Sequence, residues 1–307
     1  MAKVKVRRTH REELPGVVVL RDAVASRGRG SASRPVLDLD MEADSELDHL
    51  ISHDPDGFLT ALDRDETLGF GASHVRARQW ILSQLWVLPQ HQGRGAGEAL
   101  LSKALAYGMS SGAKEFLAVV PTENAIQALL LKHGFRPLKP IYSIRIPVEQ
   151  GMELAGAMAR LMPGREMTRE LLQLHGQTDL DRIDKFTRGG IRGSDHQYWL
   201  KDVGCRAAFV HQGDRVAGYG YGGRNQVGPV AGTTQEAAVA ALGRALEMAL
   251  EGHHSELSPP ILVPAGFGGA LEVLLEGGGV IRGTSMLYGR GLSAAFDRVV
   301  LGSPALP

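Results

Sequence analysis

Three apolar runs in the first third of the chain, GFLTALD (57–63), TLGFGASHV (67–75) and WILSQLWVL (80–88), are separated by the charged stretches RDE and RARQ. Runs of this kind with turn-like separators predict strands joined as hairpins. Before them, KVKVRR predicts a strand and REELPGVVVLRDAVA a helix with Pro15 near its start. SRGRGSASRP predicts a loop, and DSELDHLIS a second short helix. After the strands the period changes. EALLSKALAYGM puts Leu101, Ala104, Leu105 and Gly108 at helical spacing, and KEFLAVV reads as a strand. TENAIQALLLKHG predicts a helix with Ile126, Leu129, Leu130 and His133 on one face, stopped by Gly134. FRPLKPIYSIRIP closes this unit with strand-like material.

The register changes at VEQGMELAGAMARLMPGREMT, which reads as a boundary and linker. Beyond it the order partly recurs. A helical RELLQLHG and a polar stretch lead to CRAAFVHQGDRVAGYGYGG, a hairpin whose turn HQGD carries a glycine. QVGPVAGTTQEAAVAALGRALEMAL is a strand, a loop and an alanine-rich helix; PPILVPAG is a strand, GGALEVLLEGGG a helix, and VIRGTSMLYGRGL a last strand. The interval from the loop after the third hairpin strand to the helix-ending glycine is roughly 40 residues in each half. The expectation is a diverged tandem duplication of α/β (α+β) class, with domains at 1–148 and 149–307.

Composition narrows the setting. With 34 basic and 34 acidic residues the formal charge is zero, which gives no general attraction to nucleic acid or an acidic membrane surface. The single cysteine, Cys205, excludes an internal disulfide and a cysteine-based metal site. The basic start MAKVKVRRTHREEL lacks an apolar signal core, and no window has the length of a membrane-spanning helix, so a cytoplasmic protein is expected. No metal is expected.

Candidate chemistry concentrates in VLPQHQGRGAGEALL (87–101), where Gly93, Gly95 and Gly97 fall between a strand and a helix. A helix start leaves backbone N–H groups without partners and carries partial positive charge. Glycines remove side chains that would hold a phosphate away. Together these make a cradle for a diphosphate, with Arg94 able to add a charged contact. A P-loop would continue Gly-Lys-Ser/Thr, whereas Glu98 follows here. A dinucleotide fingerprint would open a parallel βαβ unit, whereas three hairpin-connected strands come first. A glycine-rich turn with no ligand is the remaining alternative.

Gln92-x-x-Gly95-x-Gly97 after LWVLPQH resembles the acyl-CoA loop of the GNAT superfamily, the acetyl-CoA-dependent N-acetyltransferases. VPTENAIQALLLKHGFRP is similar to that family's fifth strand and fourth helix, with Asn124 at its asparagine, and RRTHREELPGVVVLRD is similar to its opening strand and helix. The resemblance covers about residues 4 to 147; the second half shares only the element order, and GPVAGTTQEAA lacks the glycine signature. The resemblance implies two GNAT-like domains, each a mixed, mostly antiparallel sheet flanked by helices, the second binding coenzyme poorly or not at all. It implies acetyl-CoA as co-substrate and N-acetyl transfer to a small-molecule or peptide amine. The rival is a catalytically weak acyl-CoA sensor whose second domain contacts a protein partner. A homodimer is a further expectation.

The resemblance also assigns residues. Leu85 and Val87 give main-chain contacts to pantetheine lying between splayed strands, with the Val87 N–H near the thioester oxygen. The amides of Gln92, Gly93, Arg94, Gly95, Ala96 and Gly97 hold the diphosphate, and Asn124 bonds the pantetheine arm or orders the loop. The family's usual base and acid are absent: Ser83 and Gln84 occupy the glutamate's position and Leu130 that of the tyrosine. Tyr142 as acid and His74 as base are the replacement candidates, beside proximity alone or slow chemistry. The loop between the first two helices begins basic (Arg27, Arg29, Arg34) and turns acidic (Asp38, Asp40, Glu42, Asp44, Glu46); it is an acidic lip for a cationic amine or a solvated loop. Trp80 and Trp86 are spaced to share one strand face, and His253–His254 reads as a loop rather than a metal pair.

Overall fold

The computed structural model describes residues 4–27, 42–167 and 177–307. The chain folds into two compact units. Unit 1 comprises residues 1–138 and 287–292, and unit 2 comprises 139–286 and 293–307.

In unit 1, β1 (Lys5–Arg8) is followed by a short 3-10 turn and α1 (Leu14–Arg27), then α2 (Glu42–His53). Three antiparallel strands follow: β2 (Phe58–Asp63), β3 (Glu66–Arg76) and β4 (Gln79–Val87). Asp63 pairs with Glu66 and Arg76 with Gln79, so both connections are two-residue turns. Each turn takes a positive φ at a non-glycine residue, 53° at Arg64 and 52° at Ala77. β1 lies antiparallel on β2. α3 (Ala96–Ser110) is the crossover that lets β5 (Glu115–Pro121) run parallel to β4. α4 (Asn124–Lys132) follows. Trp80 is fully buried against α3, where a Cβ on Gly108 would stand 2.3 Å from its Cδ1, and its ring lies 5.8 Å from Phe116. Only glycine lets α3 come this close to the strand.

The chain does not close this unit with the strand after α4, as its sequence suggests. β6 (Arg136–Arg145) leaves unit 1 after residue 138 and contributes the rest of its length to unit 2. The missing strand of unit 1 is the end of β12 (Val280–Arg290), which adjoins β5. Tyr288 donates a hydrogen bond to Gln127 on α4 at 2.7 Å, and the Arg290 guanidinium lies 4.1 Å from the Phe116 ring. The units are therefore discontinuous in sequence, and their change at 138/139 falls ten residues before the expected 148/149.

Unit 2 repeats the order. VEQGMELAGAMA is not a linker: it forms α5 (Val148–Ala159), with Ala155, Met158 and Ala159 buried. Its small residues obscure the apolar stripe in sequence but permit close packing. A Cβ on Gly243 of the facing helix would stand 2.5 Å from the Ala159 nitrogen. β7 (Gly164–Glu166), α6 (Gln177–Arg188) and α7 (Gly193–Lys201) precede the antiparallel strands β8 (Arg206–Gln212), β9 (Arg215–Gly223) and β10 (Gln226–Gly232). α8 (Gln235–Leu250) packs on β9 so tightly that a Cβ on Gly222 would meet the Ala245 oxygen at 2.1 Å. The glycines of YGYGG thus serve close helix–sheet approach. β11 (Ile261–Pro264), α9 (Gly268–Glu276), β12 and the short β13 (Val299–Val300) complete the unit, and β11 pairs antiparallel with β6.

The polar stretch before the second hairpin hides a buried ion network. Asp184 accepts from Arg192 Nε at 3.2 Å, from His196 Nε2 at 2.9 Å and from the Tyr219 hydroxyl, and all four side chains are buried. Burial alone would raise the Asp184 pKa, but Arg192 and His196 hold it far below the usual carboxylate range.

Candidate functional site

The site of unit 1 begins with a fault in β4. Ser73 pairs with Leu82 and Ala72 with Gln84, so Ser83 is one residue more than the register of β3 accommodates. Such a bulge bends its strand and reverses which face each later side chain takes. Trp80 and Leu82 face α3; after the bulge Leu85 and Val87 do, while Gln84 and Trp86 take the opposite face. The expectation that Trp80 and Trp86 share a face fails for this reason. Trp86 is half-buried and donates to Gln84 Oε1 at 3.2 Å.

The bulge coincides with the opening of the sheet. β4 and β5 pair from Gln79–Glu115 to Leu82–Ala118 and no further, although β4 runs on to Val87 and β5 to Pro121. Leu88 N–H is bonded to Leu68 on β3 at 3.0 Å. Backbone donors alternate along a strand, so the Val87 and Leu85 N–H groups face the opened side. Residues 83–87 are half-buried, consistent with an accessible edge.

Beyond β4, the 3-10 turn Pro89–His91 delivers the chain to the glycine segment. His91 is buried and bonds Glu66 at 3.0 Å, and Gln92 Nε2 donates to the Val87 carbonyl at 3.1 Å. These two contacts tie the turn to the strand. Gly93 and Gly95 have φ of 73° and 88°, in the left-handed region, and a Cβ on either would meet nothing within 4 Å. Gly95 is the N-cap of α3 and provides no side-chain cap. Among the described residues, the first α3 amide with a carbonyl partner is that of Ala99, bonded to Gly95 at 3.0 Å. The preceding amides form the donor cluster of a helix start, exposed at Gly93, Arg94 and Gly95 and more covered at Ala96 and Gly97. The Gln92 amide is not part of it, because it is bonded to Pro89 at 3.3 Å. A carboxylate in the first turn would oppose an anion there. Glu98 is instead drawn to α4, with Lys132 at 2.7 Å and His133 at 2.8 Å. The hydrogen bond from Lys132, then that from His133, holds its carboxyl below the usual range. This brace has no signature in the sequence, where His133 falls on the apolar face of its helix.

The other sequence-derived candidates separate. Asn124 is exposed at the first turn of α4, beside the widened end of β5 in sequence. His74 is fully buried on β3, and its Nδ1 lies 2.8 Å from the hydroxyl of Ser83 at the bulge. Tyr142 belongs to unit 2, where it pairs with Val263 of β11 and packs on the apolar core. Leu130, where the resemblance expects a tyrosine, is fully buried. Residues 28–41, which include Arg29, Arg34, Asp38 and Asp40, and the RELLQLHG segment lie outside the described residues. His253 bonds the Arg224 and Leu257 carbonyls at 3.1 and 3.0 Å, and no group of three metal-binding side chains occurs among the described residues. No described helix is long and apolar enough to cross a membrane.

Comparison with known proteins agrees with this geometry. Residues 25–135 match the sequence model of the acetyltransferase (GNAT) family. No curated protein matches. Among solved structures, a candidate acetyltransferase from Pyrococcus horikoshii is 16% identical, with 100% of this chain and 97% of that one covered and a TM-score of 0.74. A GCN5-related N-acetyltransferase from Sphaerobacter thermophilus is 14% identical over 95% of this chain and 96% of its own, TM-score 0.61. A tandem GNAT protein from the clavulanic acid biosynthesis pathway is 13% identical over 94% and 98%, TM-score 0.58. At these identities the likeness is one of fold, and it spans both units.

Proposed function

Because this chain carries a GNAT-family acetyltransferase domain in its N-terminal unit and has the tandem GNAT fold, we propose that it moves an acetyl group from acetyl-CoA to an amine. The observation that carries this reading is the opening of β4 from β5 directly before a left-handed glycine turn that leaves the donors of α3 uncapped. The opened edge suits a pantetheine arm, which pairs there as an added strand. The helix start suits its diphosphate.

The amine attacks the thioester carbon directly; its N–C bond forms as the C–S bond breaks, and coenzyme A leaves as the thiolate. The Val87 N–H stabilises charge developing on the thioester oxygen. The proton lost by the amine goes to the Ser83 hydroxyl, which passes its own to His74 Nδ1 at 2.8 Å. Ser83 touches the substrate, and the buried His74 acts through it. Water protonates the thiolate.

A second reading, an acyl-CoA sensor with slow chemistry, is favoured by one observation: the positions usual for base and acid hold Ser83 and a buried Leu130. A thiol-release assay over a panel of small-molecule and peptide amines separates the two. Transfer predicts release above the hydrolysis rate with at least one amine, and a loss of about 100-fold in Ser83→Ala. Tight coenzyme binding without amine-dependent release overturns transfer, and an unchanged Ser83→Ala rate removes the relay.

A further inference from the structure

Unit 2 offers the same strand–helix–strand arrangement as unit 1, with β10, α8 and β11 in the places of β4, α3 and β5. Its opening is not empty. β10 and β11 belong to different sheets, and the segment around β13 lies between them. On one side Val300 pairs antiparallel with Val230 and Val299 with Ala231. On the other, Leu301 forms an antiparallel bridge with Leu262 of β11 and donates its N–H to the Leu262 oxygen at 3.0 Å. Val299, Val300 and Leu301 are at most 3% exposed. The chain thus hydrogen-bonds to both walls of a parallel-strand opening, which is the geometry an added strand requires.

The helix start is closed as well. Gly232 N–H donates to the Arg298 carbonyl at 3.2 Å. Arg298 Nη1 donates to the Thr233 carbonyl at 2.8 Å, and Gln235 Nε2 donates to the Asp297 carbonyl at 3.0 Å. Thr234 caps α8 itself, its hydroxyl accepting from the Ala237 amide at 3.1 Å. Where Gly95 opens on free space, a Cβ on Gly232 would stand 2.4 Å from the Ala238 nitrogen. The start of α8 is pressed onto the strand, and Thr234 takes its Ala237 and Ala238 donors, through its hydroxyl and its carbonyl.

We infer that residues 297–301 are a built-in stand-in for the pantetheine arm: they fill the coenzyme opening of unit 2 and leave the chain one coenzyme site. Equating that opening with a coenzyme slot rests on the function proposed for unit 1. The absence of a glycine loop from GPVAGTTQEAA accounts for a weak diphosphate cradle; the seated segment accounts for closure of the rest. This makes unit 2 a scaffold held in a liganded-like form.

Hydrogen exchange on the full chain tests this without any substitution. The peptide carrying residues 297–304 is expected to exchange at least about 100-fold slower than unprotected chain, with and without saturating acetyl-CoA. Rapid exchange, or a change in either direction on adding acetyl-CoA, overturns the inference. Calorimetric titration with acetyl-CoA adds a second arm. One equivalent that is weakened in Gly95→Ala supports a single site in unit 1. Two equivalents, or one undiminished in Gly95→Ala, overturns it. No binding with a protected 297–304 segment refutes the coenzyme reading of unit 1 and still supports a closed unit 2.

Discussion

The glycine turn permits a matched comparison. Gly93 and Gly95 share a positive φ, 73° and 88°, and at both a Cβ would point into open space. Alanine at either position therefore clashes with no protein atom and carries the same left-handed backbone cost, about 1–2 kcal/mol. Any difference in stability between Gly93→Ala and Gly95→Ala should be small. Their ligand contacts differ. Gly95 is the N-cap of α3, at the mouth of the donor cluster, whereas Gly93 lies two residues earlier on the exposed turn. A methyl group at Gly95 keeps a diphosphate from the amides beneath it. Losing one or two hydrogen bonds to a charged group, at about 1.5–3 kcal/mol each, weakens binding by more than about tenfold. Calorimetry of acetyl-CoA on both variants, with urea denaturation as the folding control, reads this directly. An affinity in Gly95→Ala undiminished from that of the unaltered protein would refute the assignment of the diphosphate to this helix start.

Other consequences are open to measurement. Asp184→Asn removes the counter-charge of Arg192 and of the fully buried Arg188 and should destabilise unit 2 by about 3 kcal/mol, seen as a lowered urea midpoint; a change under about 1 kcal/mol would show the network to be dispensable. Glu13 takes two hydrogen bonds from Arg7, at 2.8 and 2.5 Å, which lower its pKa to about 2 from 4.5. The carboxylate's contribution is complete above about pH 4.5 and fades as the pH falls toward 2. Both side chains are more than a third exposed, so screening limits the effect to about 1 kcal/mol. Glu13→Gln should flatten stability against pH in that interval; an unchanged slope would remove the pair from the acid response.

Local pattern revealed the elements well and their partners poorly. The hairpin strands, the crossover helix and the glycine turn are visible because each depends on neighbours in sequence. The bulge at Ser83 is not, since nothing in ILSQLWV distinguishes a regular strand from one with an extra residue. That one residue decides which side chains face α3 and where the sheet opens. FRPLKPIYSIRIP and VIRGTSMLYGRGL both read as closing strands, but a period of two names no partner, so the division of each between the two units is not visible in it. α5 was hidden by the small residues that let it pack. Asp184, Arg192 and His196 look solvent-facing because burial of charge depends on partners supplied by other elements. The segment at 297–301 carried no signal at all, since filling an opening requires only that apolar residues arrive there.

The exchange of end strands also has a consequence for synthesis. Unit 1 needs residues 287–292, more than 160 positions after the end of β5. On the ribosome its other elements emerge early, while the flank of β5 waits uncovered until residues 287–292 are made. Bare strand flanks recruit other chains. A gene fragment ending near residue 148 should therefore yield a sticky product, and co-translational helpers should matter more here than in a single-domain relative.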